Sequence, residues 1–173
     1  MAWSAVSLVG VGLFGRKRTA ATPSPPEPAR ARRPGVARLE AHVLALCEEY
    51  EIEIEGRSDR GRALRYRGGH LAVRLPEVRG QVTYLICLHE IGHLVGRGRS
   101  APRLEAEANA WIWALENTAV EPTTASLKSI ARRLDGYLEW ALARQHRRTP
   151  PRIPPEDHPF WSLRGLGAEK DAA

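Results

Sequence analysis

Cysteine is nearly missing from this chain: Cys47 and Cys87 are the only two among 173 residues, and each lies in an apolar stretch. Neither has a C-x-x-C partner, so nothing in the sequence supports a cysteine-based zinc site or a redox motif. Both read as small buried hydrophobes of a reducing compartment. Long apolar runs are missing too. Residues 3–14 (WSAVSLVGVGLF) are apolar, but they fall short of the about 20 residues a membrane-spanning helix needs. A secretory signal places its bases ahead of its apolar run, whereas Arg16, Lys17 and Arg18 follow this one. A cytoplasmic protein with no membrane partner is expected.

Acidic residues are scarce in one place. Residues 1–35 hold six bases against Glu27 alone, which leaves 20 bases and 19 acids for residues 36–173. The net charge of +6 therefore belongs mainly to the arm. Five prolines and no aliphatic residue larger than alanine over 19–35 describe a linker that builds no core. Residues 1–35 read as a disordered basic arm. A near-neutral remainder argues against direct nucleic-acid binding by the folded part.

From Val36 onward the pattern changes. Val36, Leu39, Val43, Cys47 and Tyr50 recur at helical spacing. EIEIE at 51–55 alternates as a strand does, Leu64 and Tyr66 suggest a second strand, and Leu71, Val73 and Leu75 mark a third. Gly68-Gly69 signals a hairpin between the last two. Helices are expected near 81–95, 102–116 and 124–147, the last with Leu127, Ile130, Leu134, Tyr137, Leu138 and Ala141 on one face. The expected fold class is α+β: a helix, a three-stranded sheet, then three helices. The core domain spans 36–148, followed by a Pro-rich tail at 149–173 that wraps the surface.

Chemistry concentrates at LHEIGHLV, residues 88–95. Residues i and i+4 of a helix share a face, so His89 and His93 can aim both imidazoles at one ion. Glu90 lies about 100° round the helix from His89 and can reach a water held there without ligating. This is the mechanics of H-E-x-x-H: two zinc ligands and a general base. Chance gives the pattern in roughly 2% of chains of this composition. Its helical context is also right. Gly92 weakens a helix interior, which suggests that another element approaches closely there.

A catalytic zinc site needs a third protein ligand and an open position. The next helix offers Glu105 and Glu107. Glu105 is the expected ligand, with its i+4 neighbour Asn109 holding an imidazole N–H. Glu107, about 200° away from Glu105, is expected to face solvent.

HEIGHLVG followed by EAEANAWIWAL resembles the ImmA/IrrE family of metallopeptidases. There an HExxH helix precedes a helix with an E-x-x-A-[ND] pattern, which Glu105, Ala108 and Asn109 match. The resemblance spans about residues 36–116, with its sharp motifs confined to 89–109. It implies a small zincin-like domain and a zinc-dependent endopeptidase acting on a protein substrate such as a helix-turn-helix repressor. The sequence departs from the family in two respects. Trp113-Ala114-Leu115-Glu116-Asn117 replaces a Leu-Leu-Met-Pro-like segment, and residues 1–35 leave no room for a helix-turn-helix domain.

Tyr66, His70 and Tyr84 are the candidates for an oxyanion-stabilising group. His146 and His158 read as surface residues. Trp111, Trp113 and Trp140 read as packing between helices. Strand 70–75, if at an edge, can pair with an extended peptide. The expected activity is metalloendopeptidase, with His89, His93 and Glu105 on Zn²⁺ and Glu90 as general base. The alternative is a non-catalytic metal-binding module that sequesters a transcriptional regulator. A third reading, a nucleic-acid-associated protein acting through the arm, has the near-neutral folded part against it.

Overall fold

The computed structural model describes residues 34–98 and 100–166. Residues 1–33 of the basic arm, with the apolar stretch at 3–14, and the end of the tail lie outside the described residues; Pro34 and Gly35, expected in the arm, open the first helix. The described residues form five helices and a three-stranded mixed sheet, which packs on the first two helices. Helix α1 (Pro34–Glu49) buries Leu39, Val43, Leu46 and Cys47, the i, i+4, i+7, i+8 stripe of an amphipathic helix.

Strands β1 (Ile52–Arg57), β2 (Arg62–Arg65) and β3 (Leu71–Leu75) follow in sequence, yet β3 lies between the other two. It runs parallel to β1 and antiparallel to β2. The expected hairpin joins β2 to β3, closed by the Tyr66 amide donating to the His70 carbonyl at 2.9 Å. With both edges of β3 occupied, it cannot accept a peptide as an added strand. The free edges belong to β1 and β2.

Helix α2 (Gln81–Val95) carries the histidines, and its burial departs from an amphipathic expectation. Every residue from Tyr84 to Gly92 is buried. A helix apolar on all sides is the central element of a domain, and α2 meets α1, the sheet, α3 (Arg103–Glu116) and α4 (Thr124–Leu142). Gly92 makes the closest approach possible. A Cβ there would stand 2.7 Å from the Ala110 carbonyl oxygen, so the α2 and α3 backbones touch at this point.

The segment from 149 onward does more than wrap the surface. Its short helix α5 (Phe160–Arg164) drives Phe160 fully into the core, and Arg164 pairs with Asp135 of α4 at 2.6 Å. No helix among the described residues is long and apolar enough to cross a membrane.

Candidate metal centre

Polar groups inside a central, apolar helix are costly unless they are partnered. His89 and Glu90 are both buried in α2 and so require a reason for their place. The reason lies on α3. His89 Nε2 approaches Glu107 Oε2 to 3.2 Å, His93 Nε2 approaches the same oxygen to 3.3 Å, and the two imidazole nitrogens stand 3.0 Å apart. Three ligand atoms thus form a nearly equilateral triangle. A tetrahedral ion of zinc's size, with ligands at about 2.0–2.1 Å, needs ligand atoms about 3.3 Å apart. The triangle fits that requirement, and among the described residues His89, His93 and Glu107 form a cluster able to hold a metal ion.

The expectation for Glu105 is thereby corrected. Glu105 points away from the histidines, and its carboxylate meets Arg152 at 3.6 Å. The physical cause is the apolar stripe of α3. Leu104, Ala108, Trp111 and Ala114 are buried against the core, and Glu107 falls on their face. Asn109 is corrected as well: its amide packs against Gly98 in the turn after α2. Measured from Glu107, Ala110 keeps the E-x-x-A spacing, and Trp111 stands at the Asn/Asp position. Trp111 stacks on His89, with centroids 4.0 Å apart and planes 23° from parallel. The indole thus orients the ring by contact. His89 Nδ1 and Trp111 Nε1 are both buried without a hydrogen-bond partner among the described residues.

The electrostatics match a site built for a cation. Burial pushes His89 down to about 4, so its imidazole is neutral and its lone pair is available. Burial would raise Glu107, but the two imidazoles outweigh it and hold the carboxyl at about 2. Burial likewise opposes charge on His93, yet Glu107 and Glu90 raise its pKa. A divalent ion held by the three groups would compete with any proton on His93.

Glu90 sits apart from the triangle, as its place on the helix requires. Burial raises it to about 7, opposed by the charge of His93 and by the Ala63 backbone amide. The chain at the start of β2 covers it. A Cβ at Gly61 (φ 75°) would come within 2.6 Å of its Cγ. A cleft of about 470 Å³ opens over these groups, lined by Gly61, Arg62, Ala63 and Arg65 on one side and by Arg103 and Tyr137 on the other.

Tyr137 of α4 was expected only as a packing residue. Burial, then the charge and hydrogen bond of Glu107, push its pKa up. The three expected oxyanion candidates lie elsewhere. Tyr66 is exposed and bonded to Glu55, and His70 pairs with Glu53 at 2.9 Å. The buried Tyr84 hydroxyl braces His42 Nδ1 and the Ala119 amide, each at 2.8 Å. Cys47 and Cys87 are free and buried, and burial raises both thiols, to about 11 and about 12.

No family model, curated protein or solved structure matches the chain, so the reading of this site rests on its geometry.

Proposed function

We propose that this protein is a zinc-dependent endopeptidase of zincin-like architecture, with His89, His93 and Glu107 as metal ligands. The observation that carries the reading is the triangle of two imidazole nitrogens and one carboxylate oxygen at 3.0–3.3 Å, with a second carboxylate, Glu90, beside it rather than in it. When bound, the ion would lower the pKa of a water and polarise the scissile carbonyl.

The protein's own groups supply the rest. Glu90, held near neutrality, takes the proton from the attacking water and passes it to the leaving amine. The Tyr137 hydroxyl, which borders the cleft and bonds to Glu107, would donate to the oxygen on which charge develops once an ion holds that carboxylate. Strand β2, at the sheet edge and along the cleft, has one side free for the backbone of an extended peptide. By the resemblance to the ImmA/IrrE family, a DNA-binding repressor is the first protein substrate to test.

One observation favours a second reading, a metal-binding module without catalysis. His89 is oriented by stacking on Trp111, where the family pattern has a hydrogen-bonding Asn or Asp. A single pair of assays separates the two. The endopeptidase reading expects Glu90→Gln to retain the metal and lose cleavage of a repressor encoded nearby. The binding-module reading expects equal repressor capture by both proteins and cleavage by neither.

A further inference from the structure

We propose that the cleft selects acidic peptides, reading Asp or Glu side chains that flank the reacting bond; this inference rests on the peptidase reading above. The cleft wall carries Arg62 and Arg65 from β2 and Arg103 from the start of α3. Five arginines elsewhere in the fold are neutralised. Arg57, Arg74, Arg79, Arg152 and Arg164 each pair with a carboxylate. At the cleft, none of the three has a carboxylate partner among the described residues.

Two of them are nonetheless held in place. The Arg65 Nη2 group donates to the Leu94 carbonyl at 3.0 Å. The Arg103 guanidinium lies over the Trp140 ring, 4.6 Å from its centroid, and 5.7 Å from that of Tyr137. Contacts to a carbonyl and to aromatic faces fix a guanidinium without cancelling its charge. They also spare the ligand part of the entropic cost of ordering the side chain. Arg133 of α4 adds to the field, since its charge acts on His89 and Glu90.

The two carboxylates of the cleft turn inward, Glu107 to the imidazoles and Glu90 to the Ala63 amide. They leave the rim positive. A peptide fits this surface better than a nucleic acid does. The positive groups flank a strand edge that pairs with extended backbone, and residues 36–173 as a whole carry almost as many acids as bases.

The test uses the full-length, zinc-loaded Glu90→Gln protein and labelled extended peptides that differ only in Asp, Ser or Lys at the flanking positions. The Asp peptide is expected to bind about tenfold more tightly than the Ser peptide, with the Lys peptide weakest and the preference shrinking in high salt. Arg62→Gln, Arg65→Gln and Arg103→Gln combined should remove most of the preference, while Arg103→Lys alone should keep most of it. Circular dichroism confirms that each variant is folded. Equal binding of the three peptides, no binding of any, or an oligothymidylate that outcompetes the Asp peptide would each overturn the inference. Cleavage by the wild-type protein is scored separately. Selective binding without cleavage removes the peptidase reading and leaves charge selection as a property of a binding cleft; cleavage without charge preference removes the charge selection alone.

Discussion

Burying Glu90 has a cost that depends on pH. Its carboxyl titrates near 7 in the fold, mainly because burial disfavours the charged form, against an ordinary value of 4.5. The folded state therefore binds this proton more tightly than the unfolded chain does. Stability falls as pH rises from the unfolded value towards 7, and the full cost is present above it. At 1.36 kcal/mol per unit, the difference amounts to at most about 3 kcal/mol. Glu90→Gln keeps the shape and removes the charge. In metal-free protein, kept so by a chelator, the variant should match the wild type near pH 4.5 and exceed its stability at pH 8 by about 1–3 kcal/mol. Glu107 titrates in both proteins, and the loss of Glu90's charge from beside His93 is contained in the range of about 1–3 kcal/mol. Urea unfolding at a series of pH values measures the gap. A gap that does not change with pH, or that grows on acidification, would refute the reasoning.

Other substitutions probe the scaffold and the cleft. Gly92→Ala sets a Cβ against the Ala110 backbone and should cost about 1–3 kcal/mol in denaturant titrations. It should also weaken metal binding, because it changes the spacing of α2 and α3. Phe160→Ala should cost about 3–5 kcal/mol by the same assay, since the ring is fully buried; a neutral result would show that α5 contributes no core. Tyr137→Phe should still load one ion per chain in excess zinc, with weaker affinity because Glu107 loses a hydrogen bond, and should slow cleavage by the loaded protein by about a hundredfold, read as kcat with KM little altered.

The sequence carried more of the fold than of the site. The α1 stripe, the hairpin glycines at 68 and 69, and the strand alternation each specify a local structure. The position of β3 between β1 and β2 does not follow from local pattern, because the crossover is set by how the sheet packs on α2. Glu90 and the two histidines are local to one helix, so their relation was legible. The third ligand depends on how α3 is rotated against α2. A motif match pointed to Glu105, whereas the apolar spacing of Leu104, Ala108 and Trp111 places Glu107 inward. That periodicity was present in the sequence and was the better guide. Tyr137 and Arg103 reach the cleft only through the packing of α4 on α3, and the sequence gives no local signal of their proximity to the histidines.

Metal content tests the central claim most directly. Purified wild-type protein, Glu105→Gln and Glu107→Gln should be loaded with zinc, dialysed and analysed for bound metal by mass spectrometry. The wild type and Glu105→Gln should each retain one ion per chain, and Glu107→Gln should lose it or hold it far more weakly. Equal retention by both variants, or loss in Glu105→Gln alone, would contradict the site described here.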